Sequence, residues 1–390
     1  MIYYCEINKT DAEHAVVNKA LLRMLMTAFP QENIQGYLSP SHLDALKMRH
    51  HKDPRLNFET IPVLSPIAGN KRQWLNKLSK EIIQLVRLYF QFKKSESFLL
   101  LFTSLSPTAF GVLSILSRLF PTKGKVVVTL HGELQLLAGK PSKIIDRLYA
   151  RCIRYGLLHP GKSLTYLVLG DTVREKLLEE RLAHSATIWS LPHPLREPLP
   201  IKAASSDPPL VFGHIGVAKQ AKQSAVFFEW ASRCAAAIEQ KKIQFVLAGP
   251  VLPDMQGYTN QWVEHRASEH FLSDEDFQRI CSRMDYAIFL YEESQYGFIS
   301  SGALTEAISF EIPILAIRNK QLEHLFSQVE TPPGRLYTTK EAMWEDLRSL
   351  IEQGTPDLKM REGIRQLKAL YSLPQMAAKF RLAIENKSHV

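Results

Sequence analysis

Cysteine is scarce in this chain. Four occur in 390 residues (Cys5, Cys152, Cys234 and Cys281), far apart and with no C-x-x-C pair. A disulfide scaffold and a cysteine-based zinc site are therefore not expected, and a reducing cytosol fits best. Long apolar runs are also missing. The longest, such as residues 98–102, fall far short of the roughly 20 residues of a membrane-spanning helix. Met1 leads directly into Ile2-Tyr3-Tyr4-Cys5, without a basic n-region or a small-residue cleavage site, so no signal peptide is expected. The patterns H-E-x-x-H, G-x-S-x-G, Walker A and G-x-G-x-x-G are absent, which leaves metalloprotease, serine hydrolase, P-loop and classical NAD chemistry without their motifs. No aromatic-basic or helix-turn-helix signature stands out, and nucleic acid is not an expected partner.

What is present is ordinary globular composition, 45% hydrophobic and 22% charged, at a length that suggests two domains. The charge is uneven. Residues 1–200 carry 27 Lys and Arg against 16 Asp and Glu, and residues 201–390 carry 21 against 23. The overall +9 thus divides into +11 and −2. A basic first half suits an anionic partner, and equally a solvated basic surface.

Both halves alternate short apolar runs with amphipathic stretches. Runs at 98–102, 125–130, 164–169, 210–215, 244–248, 286–290 and 312–317 suit buried parallel strands, with helices between them at 108–119, 141–155 and 171–182. The rhythm predicts two doubly wound α/β domains, 1–198 and 199–370. A Pro/Ser/Ala-rich linker near 195–209 joins them, and a cleft between them would take ligands. Residues 74–94 form a basic amphipathic helix, with Leu75, Leu78, Ile82, Leu85, Val86 and Tyr89 at helical spacing. That stripe suits the domain's own sheet, while its rim, with Lys77, Lys80 and Arg87, suits an anionic membrane.

Three segments carry candidate chemistry. Around Ser300, Ser301 and Gly302 a strand–loop–helix junction offers helix N-terminal N–H groups for a phosphate. Glu306 follows one turn later, placed to accept hydrogen bonds from sugar or ribose hydroxyls. Gly216, Lys219 and Lys222 follow the 210–215 strand and again suit a diphosphate. His131 and Glu133 sit where the 125–130 strand ends, the edge at which active groups gather in parallel sheets. Asp274-Glu-Asp276 superficially resembles a D-x-D metal motif, but Ser273-x-x-Asp276 reads more simply as a helix start. His50, His51, His265 and His270 have no ligand companions, and no metal or resident cofactor is expected.

In this order the segments resemble the GT-B glycosyltransferases, in particular glycosyltransferase family 4. Val126-Val-Val-Thr-Leu-His131-Gly is similar to the strand whose His lies beside the transferred sugar. Gly216 with Lys222 resembles the donor-phosphate segment, Ala248-Gly249-Pro250 the turn after the next strand, and Phe271-Leu-Ser-Asp-Glu-Asp276 the segment near the base. Ser301-Gly-Ala-Leu-Thr-Glu306 resembles the acidic motif. The likeness covers most of 125–317. It implies a GT-B fold whose closing helix, 371–390, packs back on the first domain. The implied activity is metal-independent hexosyl transfer from a UDP- or GDP-linked sugar to a glycan or lipid-linked hydroxyl. The implied setting is bacterial surface polysaccharide synthesis, in the cytoplasm with peripheral contact at the inner membrane face. The chain departs from the family at Phe298, where the first of two glutamates is expected (Glu292 and Glu293 are out of register). It departs again at Val217, in place of an Arg, and at residues 6–14, in place of a glycine-rich loop. Stereochemistry stays open; inversion would need a base, for which Glu13 or Glu133 are candidates. A sugar-nucleotide epimerase and a non-catalytic sugar-nucleotide or glycan-binding relative are the alternatives.

Overall fold

The computed structural model describes residues 1–67, 69–139, 141–196, 208–265, 272–291 and 297–385. They form two compact units, one of 1–194, 297–300 and 373–390, the other of 195–296 and 301–372.

The first unit runs β1 (Ile2–Glu6), α1 (Ala15–Ala28), β2 (Ile34–Leu38), α2 (Pro40–Ala45), β3 (Leu56–Thr60), α3 (Lys71–Lys94), β4 (Leu99–Ser104), α4 (Pro107–Leu119), β5 (Lys125–Leu130), α5 (Ile144–Leu158), β6 (Leu164–Leu169), α6 (Asp171–Glu179) and β7 (Ile188–Leu191). Its seven strands are all parallel, in the order β3-β2-β1-β4-β5-β6-β7. Strand direction of growth therefore reverses between β1 and β4, the switch point at which such sheets bind ligands. Central strands such as β4 and β6 are buried at every position, which is why they read as largely apolar runs, interrupted only by Thr103 and Ser104 in β4 and Thr165 in β6. Leu85, Leu88 and Tyr89 of α3 pack on one face with Phe110 and Ile153. Leu21, Leu25 and the closing helix cover the other.

The second unit runs β8 (Leu210–Ile215), α7 (Ser224–Arg233), α8 (Ala235–Glu239), β9 (Ile243–Ala248), β10 (Val263–Glu264), α9 (Asp274–Cys281), β11 (Tyr286–Phe289), α10 (Gly302–Ser309), β12 (Ile314–Ile317), α11 (Lys320–Ser327), β13 (Gly334–Tyr337), α12 (Lys340–Gln353) and α13 (Leu358–Leu370). Its six parallel strands follow the order β10-β9-β8-β11-β12-β13, with the switch point between β8 and β11. The last helix, α14 (Leu373–Glu385), belongs to the first unit, where Phe380 meets Phe29 edge-on.

Side chains set the helix starts. Ser106 caps α4 directly before Pro107, whose fixed φ and missing N–H suit a first helical position. Ser273 accepts the Asp276 N–H at 3.1 Å, so the acidic triplet opens α9 as a capped turn. The stripe on α3 divides: Leu85 and Tyr89 are buried and Leu78, Ile82 and Val86 half-buried, while Leu75 stays exposed. Arg87 pairs with Glu59 and Lys77 is half-buried. The second half of the helix is thus a core element, and of the three cations expected at lipid Arg87 is paired within the unit while Lys77 and Lys80 are half-buried.

Candidate nucleotide-sugar site

In the second unit, two loops and the start of a helix meet at the carboxyl edge of the sheet. Gly216, just past β8, has φ +85°, a left-handed conformation in which a side chain is strained. Gly249, just past β9, lies so close that a Cβ there would stand 2.3 Å from the Gly216 carbonyl oxygen. The two glycines allow backbone to pack on backbone. A Cβ on Gly216 would lie 2.9 Å from Lys222 Nζ and 4.0 Å from Ala303 Cβ, which brings the start of α10 to the same spot.

Lys222 reaches this point from the short turn before α7. Its Nζ donates to the Ile215 carbonyl at 3.1 Å, and among the described residues no carboxylate pairs with it. Burial, with the nearby Lys219 charge, pulls its pKa down to about 7. Lys219 is fixed through its backbone. It is half-buried, and its N–H donates to Ser224 Oγ at 3.1 Å. The same hydroxyl meets His214 Nε2 at 2.9 Å, and burial holds His214 neutral with a pKa of about 3.

The start of α10 completes this cluster. Ser301 occupies the cap position, but its side chain makes no capping bond. It meets the Tyr291 hydroxyl at 2.7 Å instead. The first N–H groups of the helix lack intrahelical partners, and the helix dipole adds positive potential. Ser300, expected beside Ser301, belongs to the first unit, where its Cβ lies 3.8 Å from the Cβ position of Gly170. The chain passes between units at this bond.

Glu306 is held by a residue that the sequence hides in a proline-rich stretch. Arg196 donates from Nε to Oε2 at 2.8 Å and from Nη2 to Oε1 at 2.9 Å. It also pairs with Asp274, stacks over Phe277 at 5.1 Å, and donates its backbone N–H to Ser309 Oγ at 3.1 Å. Burial raises the Glu306 pKa, while the Arg196 hydrogen bonds and charge oppose that rise. The ionised carboxylate offers about four lone-pair sites, of which Arg196 uses two. Phe271, expected near the base, and Glu292 and Glu293 lie outside the described residues.

The first unit gathers a different set at its own switch point. Glu6 is fully buried at the end of β1. Its carboxylate accepts from the Asn8 and Lys9 N–H groups at 3.0 and 2.9 Å, and from Asn18 Nδ2 at 3.0 Å. Thr103 and Ser104 hydroxyls add bonds at 2.7 Å each. This network shapes the loop where a glycine-rich turn is expected. His131 Nε2 donates to the Thr103 carbonyl at 2.8 Å, which in the neutral ring leaves Nδ1 as the acceptor. His14 stands 4.5 Å away, ring to ring, and burial with the His131 and Lys9 charges takes its pKa down to about 2. Glu133 Oε1 accepts the His131 N–H at 2.8 Å. Glu13 is exposed and paired with Lys9. Phe298, at the family's first acidic position, is buried in this unit with Lys176 4.7 Å above its ring, so no carboxylate occupies that point.

No family model matches the chain, and no curated protein does. Solved structures do. WaaG, a glycosyltransferase involved in lipopolysaccharide biosynthesis, superposes with a TM-score of 0.61 at 12% identity over 98% of this chain and 99% of its own. HepE from Anabaena, in complex with UDP and glucose, gives 0.62 at 14% identity over 98% of both chains. Sucrose-phosphate synthase from Thermosynechococcus elongatus gives 0.65 at 13% identity, over 97% and 96%. The solved structures that this chain resembles are thus glycosyltransferases, and what it shares with them is the two-unit GT-B fold expected from its sequence.

Proposed function

We propose that the protein is a glycosyltransferase of family 4 type, moving a hexosyl group from a UDP- or GDP-linked sugar to a hydroxyl acceptor. One observation carries this reading: the half-buried Lys222 ammonium, without a carboxylate partner among the described residues, is set against glycine backbone and a helix N-terminus. In the reaction the bond from the sugar's anomeric carbon to the β-phosphate oxygen breaks, and the acceptor oxygen forms the new bond as its proton passes to a carboxylate base in an inverting course or to the departing phosphate oxygen in a retaining one. Lys222 and the α10 amides stabilise the charge that grows on the departing diphosphate, so no metal is invoked. Glu306 receives ribose or sugar hydroxyls on its two remaining lone pairs. His131 Nδ1 accepts a hydroxyl of the transferred sugar. Glu13 and Glu133 are the base candidates for an inverting course, and a retaining course needs neither.

The acceptor in this reading is a lipid-linked or polysaccharide-precursor glycan, handled in the cytoplasm at the inner membrane face. WaaG acts in lipopolysaccharide biosynthesis and HepE is seen with UDP-glucose, which supports both the acceptor class and the donor class. The test is a thermal-shift panel of UDP, GDP, dTDP, ADP and CMP, followed by turnover of the matching nucleotide sugars. A ligand at about 100 times its dissociation constant adds roughly 2.7 kcal/mol, and one nucleotide is expected to stand out. Conversion of the sugar without acceptor would mark an epimerase. Binding with neither transfer nor hydrolysis would mark a non-catalytic relative, the reading that Phe298 favours.

A further inference from the structure

Two carboxylates are buried among the described residues, Glu6 at 0% and Glu81 at 2% exposed. They are used differently. Glu6 spends both oxygens on backbone N–H groups, an amide and two hydroxyls, and so serves to hold the loop around it. Glu81, on α3, accepts the Ser106 N–H on Oε1 at 2.7 Å, while its Oε2 has no hydrogen-bond partner among the described residues. Satisfying that one N–H needs one oxygen. A second buried oxygen without a donor is costly, and such atoms are rare where nothing uses them.

The position of Glu81 gives this oxygen a use. The end of β4 and the turn into α4 touch three groups in succession. The Thr103 carbonyl accepts from His131, the Ser104 hydroxyl donates to Glu6, and the Ser106 N–H donates to Glu81. Glu81 and His131 are thus held by residues three apart in the chain, at the switch point between β1 and β4. Glu81 is also the first buried residue of α3, directly after turns on which Trp74 and Leu75 are exposed. It stands where the helix passes from solvent into the core.

We infer that Glu81 is the general base that takes the proton of the acceptor hydroxyl, and that transfer therefore inverts the anomeric centre. This rests on the proposed function. The acceptor oxygen attacks the anomeric carbon on the face opposite the diphosphate, and its proton passes to Glu81 Oε2. The anomeric C–O bond breaks, and its electron pair leaves on the β-phosphate oxygen. The bond from Ser106 fixes the carboxylate through Oε1 and leaves the lone pairs of Oε2 for the hydroxyl. Burial raises the Glu81 pKa and the Glu6 charge adds to the rise, while the Ser106 hydrogen bonds and the Lys77 charge oppose it. A carboxylate raised in this way is a stronger base. Tyr149 of α5 is the further titratable group within reach of its charge. The other candidates are less suited. Glu13 is exposed and paired with Lys9, Glu133 is half-buried and holds the His131 N–H, and His14, with a pKa of about 2, is too weak a base.

The test uses the whole protein, water as acceptor and an α-linked donor, UDP-glucose or GDP-mannose according to which nucleotide stabilises the parent. Proton NMR of the first-formed free sugar is expected to show the β anomer. Glu81→Gln keeps an oxygen for the Ser106 N–H and removes the base. Hydrolysis should fall about 10²–10⁴-fold, while the melting temperature and the thermal shift with nucleotide stay at the parent's values. The parent's loss of activity towards low pH, as Glu81 is protonated, should be absent from the residual activity of the variant. Azide has no proton to lose. Added to Glu81→Ala, it should restore turnover and give the β-glycosyl azide, which a purely structural role for Glu81 would not allow. The inference is overturned by an α anomer from the parent or by an undiminished rate in Glu81→Gln. Failure of azide to rescue a Glu81→Ala protein that still shows the nucleotide shift would also overturn it. A parent that binds no nucleotide, or binds one without turnover, would remove the proposed function and this inference with it.

Discussion

Lys222→Met is expected to cost the protein most of its affinity for a nucleoside diphosphate while leaving the free protein at least as stable. The side chain keeps its length and loses its charge. Removing one partner of a buried charge pair costs about 2–5 kcal/mol of binding, some 30-fold to several-thousand-fold in dissociation constant. The free protein behaves in the opposite sense. Lys222 is depressed to about 7 from its ordinary value, so between that pH and about 10 the unfolded chain binds more protons, and stability rises with pH. Methionine removes the cost of burying the ammonium. The same shift fixes the pH dependence of binding. A diphosphate beside Nζ restores the ordinary ammonium pKa, so affinity is flat below about pH 7. Above that it falls by up to tenfold per pH unit, with proton uptake on binding. Calorimetry in two buffers of different ionisation enthalpy reads that uptake directly. Release of protons, or no dependence on pH, would remove Lys222 from the site.

Arg196→Met is expected to produce the largest loss of stability. It leaves the half-buried Glu306 without its bidentate partner, a change of about 3 kcal/mol, the lower end of what stranding a buried charge costs. Part of that is relieved by protonation. Burial already raises the Glu306 pKa, and without Arg196 it rises further. A raised carboxyl pKa stabilises the fold at low pH, and that contribution is lost as pH climbs through the folded value. The variant should therefore melt closest to the parent in mild acid and diverge from it towards neutrality. Adding Glu306→Gln should recover much of the loss, since the neutral amide removes the stranded charge. Equal destabilisation at all pH values, with no recovery in the double variant, would mean that Arg196 acts through its stack on Phe277 and its bond to Ser309.

The two cases show where a sequence is readable. The strands at 125–130, 164–169 and 210–215 can be bounded from their residues alone, because a strand buried on both faces must be apolar throughout. The ordered motifs around Gly216 and Gly249 are legible for a related reason, since a close approach of backbone demands glycine locally. Arg196 is not legible. It lies in a stretch without periodicity, and its carboxylate partner is 110 residues further on. The Glu6 network is hidden in the same way, since Thr103 and Ser104 come from a strand nearly a hundred residues away. Ser300 and Ser301 are neighbours in sequence that fold into different units.

The central claim is that Lys222, the Gly216 backbone and the α10 N-terminus together hold a diphosphate. A crystal structure with the nucleotide that gives the largest thermal shift tests it most directly. The expected result is a β-phosphate oxygen within hydrogen-bond distance of Lys222 Nζ and of the Gly302 or Ala303 N–H, with a hydroxyl on Glu306. A nucleotide bound elsewhere, or a diphosphate pointing away from Lys222, would contradict it.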